Sequence, residues 1–95
     1  MLFCFSGIDK PDSLDIRLAN RDAHLKHWGD AGVVKAGGPF TTDDGSEMNG
    51  SMLIINVPDR ASAEKLVETD PYNKAGLFQR IEIRAWKWVI NAPAA

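Results

Sequence analysis

SMLIINV, residues 51–57, is the clearest strand signal in the chain and decides the fold. Its apolar residues run consecutively from Met52 to Ile55 instead of alternating with polar ones. Since successive side chains of a strand point to opposite faces, an unbroken apolar run indicates a strand that is buried on both faces. We therefore expect a sheet in which both faces of this strand are covered.

The sequence before this strand predicts three further elements. They are a strand over 2–8, a helix over about 13–30 that is capped by Asp12 or Ser13, and a short strand over 33–36. Gly37-Gly38-Pro39 then predicts a backbone corner, because glycine and proline interrupt regular structure. The polar stretch 41–49 is expected to be a loop or a loose hairpin.

The sequence after the central strand predicts a helix, a turn and a last strand. Pro58-Asp59 opens the helix, which ends before Pro71 because a residue preceding proline avoids helical geometry. Its inner residues are predicted to be Ala61, Leu66 and Val67. The last strand is predicted over 78–90. Its alternation changes phase at Trp86 and Trp88, which predicts either a bulge near Ala85 or burial of the second face.

The order of elements is β-α-β-β-α-β, which is typical of an α+β, ferredoxin-like layer. We expect a four-stranded antiparallel sheet with both helices on one face. The other face would be an apolar patch on a monomer, so we predict a homodimer in which two sheets face each other. Residues 1–95 are expected to form a single domain, with 92–95 as a frayed tail.

Charge and cysteine content exclude several classes of partner. The formal net charge is −2, and the 11 basic residues are scattered among 13 acidic ones, so we expect neither nucleic acid nor a membrane surface as partner. Cys4 is the only cysteine, which excludes an intramolecular disulfide and Cys-X-X-Cys motifs. The apolar start lacks a basic leader, and no stretch is long enough to span a membrane. A cytoplasmic protein is expected.

His24 is the main candidate for chemistry. A helical wheel centres the apolar stripe of the first helix near Leu14 and Leu25 and sets His24 about 80° to one side. The same wheel turns His27 towards solvent, so only His24 is expected to meet the body of the protein. An imidazole titrates near neutral pH and suits general acid or base catalysis. It is also compatible with a packed histidine that has no chemical role.

Asp70 is the carboxylate best located to orient His24, because it ends the second helix, beside the first. It is equally an ordinary N-cap for the turn that begins at Pro71. Arg17 and Arg21 lie on the same flank as His24 and could bind an anionic substrate. Arg21 falls inside the apolar stripe, so its guanidinium would be buried and would need an acceptor. One His and one Asp are too few for a closed metal site, and no cofactor or metal is expected.

In combination these residues make the chain resemble the YciI-like family, also called the YCII-related domain. The matching motifs cover nearly the whole chain and are Asp9-Lys10-Pro11-Asp12-Ser13 with Arg17, Arg21-Asp22-Ala23-His24-Leu25, Ala36-Gly37-Gly38-Pro39, Gly50-Ser51, and Asp70-Pro71-Tyr72 with Gly76. The resemblance implies a dimeric α+β barrel whose active-site His and Asp fall on His24 and Asp70.

The family includes lyases and dehydrochlorinases, and barrel relatives include isomerases, so the resemblance implies a small cofactor-free enzyme that transfers protons on an acidic or ring substrate. The expected substrate-binding residues are Arg17, Arg21, Gly38, Ser51 and Tyr72. The chain departs from the family mainly in its loop over 43–49. A non-catalytic dimeric module that binds a small molecule or a partner is the rival interpretation, and a haem-related oxygenase is a third.

Overall fold

The computed structural model describes residues 1–94. Their elements are β1 (Leu2–Asp9), α1 (Leu14–Ala31), β2 (Val34–Thr41), β3 (Met48–Asn56), α2 (Arg60–Glu68), α3 (Pro71–Lys74) and β4 (Phe78–Ala85). The strands form one antiparallel sheet in the order β2-β3-β1-β4. The predicted ferredoxin-like α+β fold is confirmed, with the short helix α3 where a turn was predicted. Of the predicted tail, 92–94 form no helix or strand, and Ala95 lies outside the described residues.

The central strand β3 is buried on both faces, as its apolar run predicted. Leu53 and Ile55 point towards the helices and are 6% and 0% exposed, whereas Ile54 points to the opposite face and is 4% exposed. Antiparallel pairing with β1 on one side and β2 on the other puts β3 inside the sheet. A register shifted by one residue would turn Leu53 and Ile55 away from the core, which favours the observed pairing.

The core lies between one face of the sheet and the helices. β1 contributes Phe5, whose ring stacks on Trp28 of α1 at 6.2 Å and meets the edge of Phe78 at 5.8 Å. The remaining core residues are Phe3, Leu53, Ile55, Val57, Ala63, Val67, Tyr72 and Leu77. Within residues 1–94, no helix combines the length and the apolar character that crossing a bilayer requires.

The predicted corner at Gly37-Gly38-Pro39 is wrong, because these residues continue the strand β2. Gly37 pairs with Leu53, and Pro39 pairs with Ser51. β2 is an edge strand, so only one of its sides needs ladder hydrogen bonds, and a proline is tolerated there. The connection to β3 therefore shrinks from the predicted 41–49 to 42–47.

The predicted strand over 78–90 is too long, because β4 ends at Ala85. Its partner β1 begins at Leu2, so the pairing stops once Ala85 lies opposite Phe3 and the N–H of Trp86 donates to the carbonyl of Leu2. Trp86 and Trp88 follow the strand. The register irregularity lies instead at the other end, between Ile8 and Asp9, so the bulge near Ala85, one of the two predicted alternatives, is wrong. The other alternative, burial of the second face, is wrong as well, because Trp86 is 39% exposed.

The helix α2 begins where Pro58-Asp59 predicted it. The Asp59 side chain accepts a hydrogen bond from the N–H of Ser62 at 2.8 Å, and that bond holds the pKa of Asp59 below its usual value. The buried residues are Ala63 and Val67. Ala61 is exposed, so its predicted inner position is wrong: the helix turns its 63 and 67 positions to the core.

Substituting Gly7→Ala should destabilise the fold, because a Cβ at this position of β1 would lie 2.7 Å from the ring of Phe78, which is itself packed against Phe5 and Tyr72. We expect a loss of about 1–3 kcal/mol in the free energy of unfolding, measured by urea denaturation. Gly38→Ala is the matched control, since a Cβ there meets no atom within 4 Å. Equal stability of the two variants would contradict this packing.

Candidate functional site

The buried face of α1 is largely polar. Arg17, His24 and Trp28 are 2%, 7% and 4% exposed, whereas the leucines predicted to face the core are exposed. The predicted centres of the apolar stripe, Leu14 and Leu25, are exposed, and so is Leu18 on the same helix. The predicted stripe is therefore wrong. The helix turns its polar side inwards because the body of the protein supplies carboxylates that satisfy those groups, which removes the usual penalty of burying them.

Asp70 is the carboxylate that His24 meets, and local sequence explains its position. It is the N-cap of α3, with Pro71 as the first helical residue, and its Oδ1 accepts from the backbone N–H of Tyr72 at 2.9 Å. Its side chain is completely buried. The N-cap interpretation and the interpretation as a histidine partner are thus compatible, because a carboxylate has lone pairs for both contacts.

The Asp70 carboxylate binds two side chains of α1. His24 Nδ1 lies 2.8 Å from Oδ1, and the Trp28 indole N–H donates to Oδ2 at 2.9 Å. An ionised carboxylate only accepts hydrogen bonds, so Nδ1 of His24 carries a hydrogen, and in the neutral ring Nε2 is the acceptor. Nε2 has no hydrogen-bond partner among the described residues. Every buried side-chain nitrogen of those residues does have a partner, so Nε2 is not a buried atom. It follows that Nε2 is accessible.

The ring of Tyr72 contacts both His24 and Arg17. Its ring stacks on the His24 imidazole, with centroids 3.9 Å apart and planes 15° from parallel. The Arg17 guanidinium lies 4.6 Å from the centre of the same ring, within the range of a cation–π contact. Burial raises the pKa of the Tyr72 hydroxyl, and the positive charge of Arg17 partly opposes that rise. Tyr72 therefore keeps its proton at neutral pH.

Arg17 is held by β1 and β3. Its Nε and Nη2 donate to Asp9 at 2.7 and 2.9 Å, and Nη2 also donates to Ser51 Oγ at 2.9 Å. Burial opposes the charge, but the Asp9 carboxylate still raises the pKa of Arg17, so the guanidinium stays charged. Its Nη1 donates to no carboxylate among residues 1–94 and is accessible, and the guanidinium also interacts with the Tyr72 hydroxyl. Arg17 is a fixed cation with one free edge.

These groups share one cavity of about 290 Å³ between α1 and the strands β2 and β3. Arg17, His24, Ser51 and Tyr72 form its polar part. The other residues that line it are Arg21, Leu25, Trp28, Gly29, Val34, Gly37, Gly38, Pro39, Met48 and Leu53. The structure thus brings together all seven residues that the sequence singled out for catalysis or substrate binding.

Two of the sequence expectations on α1 need correction. Arg21 is exposed rather than buried, and it lines the cavity without a hydrogen-bond partner among the described residues. His27 does not face solvent: it is half-buried, and its Nε2 bonds the carbonyl of Leu66 on α2 at 2.9 Å. Both errors have one source, because the wheel was centred on leucines that the fold leaves exposed.

Sequence reasoning missed Asp9 and Trp28 as parts of the site. A buried arginine requires an acceptor, and that requirement could have indicated Asp9 had the burial of Arg17 been known. The link from Trp28 to Asp70 spans 42 residues and has no local signal. Within residues 1–94, no three His, Cys, Asp or Glu side chains are grouped closely enough to hold a metal ion.

Comparison with known sequences identifies the family. Residues 1–87 match the family described as the YCII-related domain. Protein YciI of Escherichia coli O6:H1 and Protein YciI of Shigella flexneri are each 30% identical to this chain, over 94% of its length and 99% of theirs. The similarity therefore extends from end to end.

Comparison with solved structures agrees with this fold. 5-Chloro-2-hydroxyhydroquinone dehydrochlorinase (TftG) from Burkholderia phenoliruptrix AC1100, in complex with 2,5-dihydroxybenzoquinone, has a TM-score of 0.83 and 36% identity, covering 92% of this chain and 94% of its own. Rv0793 from Mycobacterium tuberculosis, at 13% identity and a TM-score of 0.54 over 95% and 97% of the chains, shares the fold alone. The chain belongs to the YCII-related domain family.

Proposed function

We propose that the protein is a small cofactor-independent enzyme of the lyase or isomerase type, in which His24 transfers protons on a hydroxylated ring and Asp70 orients it. The observation that carries this proposal is the 2.8 Å contact from His24 Nδ1 to Asp70 Oδ1 at the wall of a cavity. It leaves Nε2 accessible as the reactive nitrogen, which is the arrangement that general base catalysis requires. The lone free cysteine supports a cytoplasmic location.

The similarity to TftG suggests a chlorinated hydroquinol as substrate. Loss of HCl from such a ring proceeds in two steps that need no external oxidant. First, a ring hydroxyl loses its proton and the carbon that bears chlorine gains one, so an O–H bond breaks and a C–H bond forms. Next, a second hydroxyl loses its proton, its electrons move through the ring, and the C–Cl bond breaks. The ring loses one proton and one chloride and becomes a quinone.

The charges around the cavity suit the ring oxygens that become negative in these steps. Arg21 is free to approach the mouth, and the accessible Nη1 edge of Arg17 is already held in place by Asp9. Donors that are fixed before the reaction stabilise a developing oxyanion without reorganisation. The Ser51 hydroxyl and the backbone of Gly38 are further contacts for the substrate.

We further propose a homodimer formed through the open face, the side of the sheet that carries Cys4, Ser6, Ile8, Met52 and Ile54. Side chains alternate along β1 and β3, so these five point away from the helices. The apolar part of this face lies over β1 and β3 and is bordered by the charged β4 residues Arg80, Glu82 and Arg84; left without helices, it suits a second copy of the same sheet.

Substitution His24→Ala should abolish turnover of 5-chloro-2-hydroxyhydroquinone while leaving the protein folded. We expect kcat to fall by ~100-fold or more, the usual contribution of a general base. Chloride release reports the reaction directly. His27→Ala is the matched control, because His27 bonds a carbonyl of α2 and does not line the cavity.

If wild-type protein binds 2,5-dihydroxybenzoquinone but turns over no member of a panel of chlorinated and unsaturated ring acids, the non-catalytic binding module is the better account. If wild-type protein is active and His24→Ala is equally active, the histidine has no part in the chemistry.

Asp70 has a structural and a catalytic role that two substitutions separate. Asp70→Ala removes three hydrogen bonds at a fully buried position, and we expect it to lower the free energy of unfolding by about 3–5 kcal/mol. In Asp70→Asn, an amide oxygen at the Oδ2 position still accepts from Trp28, and an amide nitrogen at the Oδ1 position can donate to Nδ1, which would reverse the tautomer of His24 while the N-cap bond to Tyr72 is lost.

We therefore expect Asp70→Asn to be more stable than Asp70→Ala and to lose at least ~100-fold in kcat relative to wild type. Thermal unfolding and steady-state kinetics on the same samples measure both. Full activity in folded Asp70→Asn would remove the carboxylate from the mechanism.

The dimer proposal predicts that Ile8→Glu, which adds a charge to the open face, yields monomers at micromolar concentration in sedimentation velocity. Ile8 is 42% exposed in one chain. Leu18→Glu is the control, because Leu18 is 55% exposed on the helix side, and this variant should sediment as a dimer. A wild-type monomer, or dissociation by Leu18→Glu alone, would contradict the proposed interface.

A further inference from the structure

Tyr72 is the cavity residue whose chemistry the proposed function leaves unused. It is 1% exposed, yet it lines the cavity, and the side chain that interacts with its hydroxyl is the Arg17 guanidinium, which can donate a hydrogen bond but not accept one. The phenolic hydrogen therefore remains available to a ligand in the cavity. The chain contains a single tyrosine, so this phenol has no substitute elsewhere.

The proposed reaction needs two proton transfers at different atoms of a rigid ring. A hydroxyl oxygen loses a proton, and the carbon that bears chlorine gains one. His24 offers a single accessible nitrogen, because its other nitrogen is held by Asp70. A second group beside His24 could deliver a proton to carbon while the histidine removes one from oxygen.

Few side chains that line the cavity can be that second group. The guanidiniums of Arg17 and Arg21 do not release protons at working pH, and the Trp28 N–H is bound to Asp70. The Ser51 hydroxyl already accepts from Arg17, and serine is a far weaker acid than a phenol. Tyr72 is left, with its ring 3.9 Å from the imidazole of His24.

We propose that Tyr72 is a second catalytic residue of the proposed reaction, the acid that protonates the chlorine-bearing carbon while His24 takes the proton of a ring hydroxyl. The phenolate that results lies beside the Arg17 guanidinium, 4.6 Å from the ring centre, which stabilises its charge. In the second step the phenolate takes the proton of another ring hydroxyl as chloride leaves.

The protons and charges of the two steps balance. Tyr72 ends protonated as it began, His24 releases one proton to solvent, and the substrate loses one proton and one chloride. Burial raises the pKa of Tyr72, so the phenol is protonated and ready to donate at neutral pH. The assignment rests on the proposed function, since it divides that function between two residues.

Tyr72→Phe tests it, because phenylalanine keeps the stacked ring and removes only the hydroxyl. We expect kcat on 5-chloro-2-hydroxyhydroquinone to fall by ~100-fold or more. The KM, the Kd for 2,5-dihydroxybenzoquinone and the thermal midpoint should change little. An unchanged kcat, or a raised KM with kcat retained, would overturn the assignment. A wild-type protein without turnover would overturn the proposed function itself, whatever the variant does.

The single tyrosine allows a second measurement. Biosynthetic replacement of tyrosine by 3-fluorotyrosine alters only residue 72 and makes its phenol more acidic. If Tyr72 donates a proton, the alkaline limb of the pH profile of kcat moves to lower pH. If the ring only packs against His24, the limb stays where it is, and the assignment fails.

Discussion

The buried carboxylate of Asp70 is the constraint on which the site depends. It accepts from His24, from the indole of Trp28 and from the backbone of Tyr72, all between 2.8 and 2.9 Å, and it has no exposure to solvent. Burying a carboxylate is costly unless its lone pairs are used. Three donors from two elements satisfy it, and together they fix α1 against α3.

This constraint explains why the polar side of α1 faces inwards. Arg17 and His24 are both buried, and each is matched by a carboxylate, Asp9 for the arginine and Asp70 for the histidine. The leucines of the same helix are then left at the surface. A cavity remains beside these polar groups, between α1 and the strands β2 and β3, and a ring-sized ligand fits its volume of about 290 Å³.

Much of the fold could be predicted from local pattern. The strand over 51–57 and the break at Pro58-Asp59 have local causes, and both were predicted close to where they occur. The errors came from pairing between distant segments. β2 continues through Gly37-Gly38-Pro39 because these residues pair with β3. β4 stops at Ala85 because its partner β1 begins at Leu2 and has no further residues to pair with.

In the site, too, features with a local signal in the sequence were predicted, and features that depend on distant segments were not. His24 and Asp70 were predicted by combining a titratable residue, a proline-capped turn and the family resemblance, and they lie together. The burial of Arg17 and the exposure of Arg21 were not predicted, since a helical wheel assumes that leucines set the buried face. Where carboxylates on other elements satisfy polar residues, that assumption fails.

The most direct test of the account is the ¹⁵N NMR spectrum of the imidazole of His24, with His27 as internal reference. We expect the neutral ring to carry its hydrogen on Nδ1, bonded to Asp70, and the Nε2 resonance to shift when 2,5-dihydroxybenzoquinone is added. The resonances of His27 should not move, because its ring lies outside the cavity. A hydrogen on Nε2 of His24, or a spectrum that does not respond to the ligand, would contradict the central claim.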